Sequence, residues 1–409
     1  MGTLTHHSCD LVIVGGGIVG LAIADTALSR DSSLKIAILD KENSLGLHSS
    51  GRNSGVLHTG VYYPSDSMKA KFCAEGARIM REFCFEHKLP IDVCGKVILP
   101  VTESDDSTLD MLVARAAQNG AKAHLIDSKT LKEIEPKAHT VTGRAIHCPE
   151  SSVVDSGAII NQLKTNLEKK GAKIILGSEV VSGDRENGQI VCRDGTKINF
   201  RHLINTAGLH ADKVASIFNV GANYRVVPFK GMYFEHIPTG SESYRGHIYP
   251  VPNLALPFLG VHFTKAVTGK IYLGPNALPA LGRENYHGLS GVNGFDLMNI
   301  SSLVIRQYWN NQQSFRKLVH TELLNFNKSK FAKAAKALVP SLESSNIKRS
   351  KKVGIRAQLY DVTSKKLVMD FLCEEGIRST HILNAISPAF TSSFSFAKHL
   401  FDSEIIKLK

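Results

Sequence analysis

Metal-ligand spacing, nucleic-acid patches, long apolar runs and repeats are all missing from this chain, and each absence removes a class of function. The seven cysteines (Cys9, Cys73, Cys84, Cys94, Cys148, Cys192 and Cys373) are scattered, with no C-x-x-C pair. No metal site is expected. An odd, dispersed set of thiols points to a reducing interior, cytosolic or mitochondrial, rather than to a secreted disulfide scaffold. His6-His7 is too short for a metal site. The formal net charge is +12, which suits an anionic membrane, acidic substrates or a basic-biased compartment; no Lys/Arg block is interleaved with aromatics, so nucleic acid is not the expected partner. The run Lys348-Arg349-Ser350-Lys351-Lys352 reads as a solvated loop. The longest apolar stretch, Leu11 to Ala24, is too short to cross a bilayer and is broken by four glycines. No Arg-rich, acid-poor transit segment precedes it, and a native protein carrying one would have this chain begin after it. There is no internal repeat, no low-complexity linker and no second dinucleotide fingerprint.

What is present begins with Cys9-Asp10-Leu11-Val12-Ile13-Val14-Gly15-Gly16-Gly17-Ile18-Val19-Gly20-Leu21-Ala22. An apolar run with strand character enters a glycine cluster and leaves as an Ala/Leu-rich helical segment. Gly15, Gly17 and Gly20 fit G-x-G-x-x-G: the first for a tight turn, the second for close backbone approach to a pyrophosphate, the third for helix–strand packing. Phosphates would then sit on unpaired N–H groups at the positive end of the helix dipole. A second apolar run, Lys35 to Leu39, ends at Asp40, ~20 residues past Gly20, where an acid binds a ribose hydroxyl. This predicts a dinucleotide site.

The chain holds 409 residues, enough for one large core or two domains. Lys41 to Gly60 is a polar loop of Ser, Gly and His, expected alongside the cofactor. Asp66 to Lys88 carries apolar positions at helical spacing. Val93 to Val101 reads as a strand, Asp105 to Asn119 as a helix closed by Gly120, and Ser128 to Glu135 as a short helix stopped by Pro136. Asp155 to Lys170 is amphipathic and capped by Gly171. Ala172 to Leu176 starts a strand, and Asn187-Gly188 and Asp194-Gly195 signal hairpins that feed a strand ending in Thr206-Ala207-Gly208. Residues 224–275 turn into short strands punctuated by proline and glycine, a broad antiparallel sheet. Ser302 to Ala337 is helical by pattern, Val353 to Gln358 and His381 to Ala385 are strands, and Ser387-Pro388 opens a terminal helix with Ser as its cap.

Taken together, the fingerprint, HSSGRNSGVLHTGVYY, CGKVILP, NTAGLHAD, VPFKG, HIYPVP, LGVHFT, YLGPNA, GIRAQ and NAISPAFTSS resemble the L-2-hydroxyglutarate dehydrogenases. These form a branch of the D-amino-acid-oxidase-like, or glycine-oxidase-like, FAD oxidoreductases. The likeness runs from about Cys9 to the C-terminal helix. It implies a mixed α/β fold in which a Rossmann-like FAD-binding domain (1–90, 145–222 and 340–409) is interleaved with an antiparallel-sheet substrate domain (91–144 and 223–339). It implies oxidation of L-2-hydroxyglutarate to 2-oxoglutarate, with electrons leaving to oxygen, a quinone or an electron-transfer protein rather than to NAD. It also implies a mitochondrial location in eukaryotes and is compatible with peripheral membrane contact. FAD contacts are implied at Gly15, Gly17, Ile18, Val19, Gly20, Asp40, Lys41, Ser50, Asn53, Ser54, Gly55, Val180, Ala207, Gly208, Pro388 and Ala389. Two departures are visible: Asp40 stands where many relatives have Glu, and Lys230 where many have Arg, which keeps the charge but loses a bidentate fork.

Oxidising a 2-hydroxy acid needs a hydride acceptor, a base for the hydroxyl proton and cations for the carboxylates. Histidine suits the base because its pKa lies near working pH. His58, in the run the resemblance places near the flavin ring, is the first candidate and His262 the second. Arg356 matches the family position that pairs with the substrate's α-carboxylate, which a guanidinium grips bidentately. Lys230, Tyr249 and His262 are candidates for the second carboxylate. Ser387, Pro388 and Ala389 open a helix whose N–H groups could face the reduced ring and the substrate. Two other readings stay open: a flavin amine or amino-acid oxidase of the same fold, and a non-catalytic FAD-binding scaffold.

Overall fold

The computed structural model describes residues 6–238, 243–254 and 259–406; the side chains of His6 and His7 lie outside the described residues. It divides into two compact units, the first made of Met1–Arg52, Ser156–Pro228 and Arg356–Lys409, the second of Asn53–Asp155 and Phe229–Ile355.

In the first unit the apolar run becomes the strand His6–Val14, paired in parallel with Ile36–Leu39 on one side and Lys197–Asn205 on the other. Lys173–Ile175 extends the sheet beyond Ile36–Leu39, and Ser379–Asn384 joins Lys197–Asn205, both in parallel. Parallel strands need both faces covered, which is why the central stretches Leu11 to Val14 and Ile36–Leu39 are continuously apolar and buried. The expected meander lies at the edge, Val180–Asp184 and Gln189–Cys192 running antiparallel to each other. Ile18–Arg30 packs against Ser156–Lys169 and Ala389–Asp402. It ends at Asp31, whose carboxylate accepts the Ser33 N–H at 2.9 Å and so turns the chain toward the next strand.

The second unit holds strands in the order Tyr224–His236, Ile271–Leu273, Phe263–Lys265, His247–Pro250, Lys96–Leu99, Arg144–Cys148 and His124–Asp127. The expectation of a wholly antiparallel sheet is corrected at one place: His247–Pro250 runs parallel to Lys96–Leu99. These two strands come from different segments of the chain, so no hairpin fixes their direction. One sheet face rests on a core that includes Phe234, Ile248, Phe263, Phe331 and Leu338. The other carries Ile98, Ile146 and Tyr249 against Leu109 and Leu112 of the helix Asp106–Gln118.

The helical pattern over Ser302 to Ala337 proves to be three helices, Gly294–Asn310, Phe315–Asn325 and Lys328–Lys336. The first break falls in a polar run whose Asn311, Gln313 and Ser314 adopt positive φ. At the second, Asn327 accepts the N–H groups of Ser329 and Lys330 and starts a new helix.

Segment borders differ from those expected. Residues 53–90, 145–155 and 340–355 fall in the second unit, and 223–228 in the first. The cause is pairing: Val56–Leu57 and Ile91–Asp92 both hydrogen-bond to Ser152–Val154 in a small sheet. Conversely, the Val226 N–H donates to Asp212 Oδ2 of the first unit at 2.9 Å. All seven cysteines are free thiols. No described helix is long and apolar enough to cross a membrane.

Candidate functional site

The glycine turn of the first unit is built by contacts that exclude side chains. Gly15 has φ +112°, and a Cβ there would lie 2.5 Å from the Thr206 carbonyl oxygen. A Cβ on Gly20 would meet the Gly15 carbonyl oxygen at 2.3 Å. Gly17 caps Ile18–Arg30 with extended backbone, and the first turn of that helix carries no acidic residue. Its positive end is therefore left for an anion. Ser50 Oγ accepts the Ile18 N–H at 3.0 Å, and Val19 is half-buried in the same turn. Asp40 ends its strand as expected, and its oxygens accept the N–H groups of Gly16 (2.8 Å) and Glu42 (2.9 Å). Each oxygen keeps a second lone pair for a ribose hydroxyl. Beside Asp40, Lys41 pairs with Glu42, which holds that carboxyl below its usual range, His48 helping. A cradle that a single methyl would fill, a bare helix start and an acid at the strand end fit a dinucleotide cofactor.

Ala207 and Gly208 join this group through Thr206, whose hydroxyl donates to the carbonyls of Val14 (3.1 Å) and Gly15 (2.9 Å). Gly208 adopts φ +53°, and a Cβ there would have nothing within 4 Å. No motif marks Thr206 as a site residue; a hydroxyl at the end of a strand, facing a glycine turn, is the signal that could have found it. Val180 is buried at the start of its strand, where the pairing register shifts before Ser182. Arg356 lies half-buried on the strand Ile347–Asp361, next to the buried Ile355. The capping role expected of Ser387 is corrected. The helix runs Ala389–Asp402 with Pro388 as its cap and no side-chain cap bond, and Ser387 is exposed one residue before it. Proline places the boundary one residue late, and its ring offers no acceptor for the first N–H groups. No acid lies in that first turn either.

In the second unit, Asn53 Oδ1 accepts the Gly55 N–H at 2.7 Å and Ser54 Oγ the Val56 N–H at 3.4 Å. Gly55 has φ +79°, and a Cβ there would lie 2.5 Å from the Val154 carbonyl. His58 follows, half-buried, its carbonyl accepting the Cys73 thiol at 3.1 Å.

His262 is 5% exposed, and its Nδ1 is 2.8 Å from the Gly260 carbonyl oxygen. A carbonyl only accepts, so Nδ1 carries the hydrogen and Nε2 is left with a lone pair. Burial pushes this imidazole down to about 4, Gly260 opposing and Lys96 assisting. The Tyr249 ring lies 4.2 Å from it, centroid to centroid. Burial raises the Tyr249 phenol well above its usual range. His247, fully buried, is pushed down to about 3 by burial first and then by Lys96. The structure thus brings His262 and Tyr249 together with two residues not named among the site candidates, His247 of HIYPVP and Lys96 of CGKVILP. A charged residue inside the otherwise apolar Val97-Ile98-Leu99 strand was the available signal. Lys230 has another engagement: its Nζ donates to Asn285 Oδ1 at 2.7 Å, and burial lowers its pKa. With Asn276 and Tyr286 it lines a cavity of about 240 Å³.

Residues 10–403 match the model of the family described as FAD dependent oxidoreductase. The chain is 36% identical to the protein named L-2-hydroxyglutarate dehydrogenase, mitochondrial, of Caenorhabditis briggsae, over 98% of this chain and 94% of that one. It is 35% identical to the L-2-hydroxyglutarate dehydrogenase of Indibacter alkaliphilus, over 94% of this chain and 96% of that one. Among solved structures, its fold is like that of the dithionite-reduced L-alpha-glycerophosphate oxidase from Mycoplasma pneumoniae with FAD bound. There the TM-score is 0.76 at 19% identity, covering 98% of this chain and 96% of that one.

Proposed function

The chain belongs to the FAD-dependent oxidoreductases and, within them, to the L-2-hydroxyglutarate dehydrogenases, and from that premise we propose a division of the reaction between its residues. It oxidises L-2-hydroxyglutarate to 2-oxoglutarate with FAD as cofactor. What carries this reading is that the match to proteins named for that reaction extends over nearly the whole chain, both units included.

The first unit holds the cofactor. The N–H groups at the Gly17 end of Ile18–Arg30 take the pyrophosphate, and Asp40 takes a ribose hydroxyl through its remaining lone pairs. FAD, when bound, supplies the acceptor for the hydride that leaves C2. Arg356 pairs with the α-carboxylate. In the second unit, His262 accepts the hydroxyl proton at Nε2, because the bond from Nδ1–H to Gly260 fixes the tautomer. An imidazole held this low is neutral throughout the physiological range but a weak base. Proton transfer from an alcohol is therefore uphill until the hydride departs and the oxygen becomes strongly acidic, so the two transfers are coupled. Lys230 anchors the second carboxylate, its Asn285 partner holding the ammonium in place. His58 and Tyr249 shape the pocket.

Anaerobic mixing of the purified holoprotein with L-2-hydroxyglutarate tests the reading, with D-2-hydroxyglutarate, L-lactate, glycine and sarcosine alongside. Bleaching of the oxidised-flavin band by the L-diacid alone is expected. Bleaching by glycine or sarcosine in its place would move the reaction to amine oxidation, and a flavin that nothing bleaches would make the chain a scaffold.

The acceptor is a membrane quinone on this reading, and a specific surface supports it. On the helix Gly294–Asn310, Phe295 (70% exposed), Met298 (69%), Ile305 (56%) and Trp309 (72%) face solvent. At the α-helical repeat they share a sector of about 80°. An exposed aromatic and aliphatic stripe on a chain of net charge +12 suits the interface of an anionic bilayer. The wild type should float with phosphatidylglycerol-containing vesicles and F295S/W309S should not. Equal flotation of the two would remove the stripe from membrane contact. A mitochondrial site belongs to the same proposal, in line with the name of the nematode relative.

A further inference from the structure

Lys96 opens the strand Lys96–Leu99, in which every residue is buried, and is itself 2% exposed. Among the described residues no carboxylate lies within ion-pair distance of it. Burying an ammonium without an anion is costly, and what surrounds it is aromatic. The Nζ sits 4.7 Å from the Tyr62 ring centroid and 5.3 Å from that of Tyr249. Ring faces of this kind partly replace lost hydration. The nearby thiols of Cys73 and Cys148 are held in their neutral form by burial, so they do not cancel the charge.

Tyr249 is shared. It meets Lys96 and also lies tilted against His262, ring centroids 4.2 Å apart. The imidazole is faced by Lys96 from one strand, by Tyr249 and His247 from the neighbouring strand and by the Gly260 carbonyl from its own segment. No acid is among these groups. A proton added at Nε2 would create a second cation beside the first, and only the Gly260 carbonyl would favour it.

We propose that Lys96 is a positioning residue: its buried ammonium, caged by Tyr62 and Tyr249, adds to burial in opposing a proton on His262 and so sets how far into acid the ring can still take the substrate's hydroxyl proton at Nε2. This rests on the assignment of His262 in the preceding subsection. The proton leaves the hydroxyl oxygen for Nε2 and passes on to solvent; Lys96 neither gives nor receives one.

The test is the pH dependence of anaerobic flavin reduction by saturating L-2-hydroxyglutarate in wild type, K96M, K96Q and K96R. It is paired with NMR titration of the ¹⁵N-labelled His262 ring in the same holoproteins. The acid limb of the rate profile and the His262 midpoint should both move up by on the order of one pH unit in K96M and K96Q. KM should be little changed, and K96R should behave as wild type. K96Q, which keeps a polar end, stands in if K96M fails to fold. An acid limb and a midpoint that stay put in a folded neutral variant would overturn the proposal. So would a raised KM with an unmoved limb, which would make Lys96 a substrate anchor. If L-2-hydroxyglutarate does not bleach the wild-type flavin, the functional reading fails, and the NMR midpoint alone still decides whether Lys96 sets the His262 proton affinity.

Discussion

Replacing Gly20 by alanine sets two effects of known size against each other. Alanine in a helix interior is favoured over glycine by up to about 1 kcal/mol, and Gly20 lies inside Ile18–Arg30 without a positive φ. On propensity alone the variant would gain stability. The added Cβ, however, would sit 2.3 Å from the Gly15 carbonyl oxygen, where ordinary contact begins at 3.4 Å, and 2.7 Å from Thr206 Oγ1. The first of these is backbone at a tight turn and cannot rotate away. The helix must therefore lift by about 1 Å from a close-packed strand, and overpacking of that kind costs about 1–3 kcal/mol. The clash offsets that gain and at its upper end outweighs it, for a net loss of up to about 2 kcal/mol and a fall in Tm of up to about 4–8 °C for a unit of this size. Because the displaced N–H groups are those proposed to receive the pyrophosphate, FAD affinity should fall about tenfold, the equivalent of about 1.4 kcal/mol. Thermal unfolding and FAD titration by flavin fluorescence measure both quantities. An unchanged FAD Kd together with an equal or higher Tm would refute the argument, because it would mean that the helix and the turn do not meet as described.

The two candidate histidines separate in kinetics. H262A should slow flavin reduction by about 10²-fold or more with FAD still bound, whereas H58A should mainly raise KM; the reverse pattern in stopped-flow reduction would exchange their roles. Glu322 gives a pH prediction. Its carboxylate accepts the Ala277 N–H at 2.6 Å, yet burial pushes it up to about 7 from an ordinary 4.5. Between these values the folded chain holds a proton that the unfolded chain has lost, so stability falls as pH rises through the window, by at most about 3 kcal/mol. E322Q keeps an acceptor for Ala277 and should flatten that slope; denaturant melts of wild type and variant across the window should converge at the acid end and diverge at the alkaline end.

The glycine turn was legible because its rules are steric and local: a chain that must bring Gly20 under Gly15 and Thr206 has no other residue to use. The polar loop after Asp40 and the hairpin meander were legible for similar reasons. Three features were not. The direction of His247–Pro250 against Lys96–Leu99 depends on two distant segments meeting, and alternation of side chains is the same for either direction. The breaks in the helical run after Ser302 come from the left-handed residues Asn311, Gln313 and Ser314 and from the extended cap Asn327, which apolar periodicity passes over. The cage around Lys96 needs two strands and the turn that carries Tyr62 to meet, and only the anomaly of a lysine in an apolar run hinted at it. Asp40 shows a fourth kind of gap. The acid is where the fingerprint puts it, but its bond to the Gly16 N–H, which ties the acid to the turn, follows from tertiary contact.

The first unit's sheet takes strands from three stretches of chain, His6–Val14 near the start, Lys197–Asn205 in the middle and Ser379–Asn384 near the end. The helix that follows the glycine turn packs against Ala389–Asp402, the last of the described helices. During synthesis, domains tend to fold in order from the N-terminus as units are completed. Here the glycine turn is made well before the strand Ser379–Asn384 and the helix Ala389–Asp402 that complete its unit. A chain cut before Ser379 keeps Gly15, Gly17 and Gly20 but leaves the sheet beneath them unclosed. Such a chain should fail to hold FAD, so that loading of the cofactor would wait on those two elements.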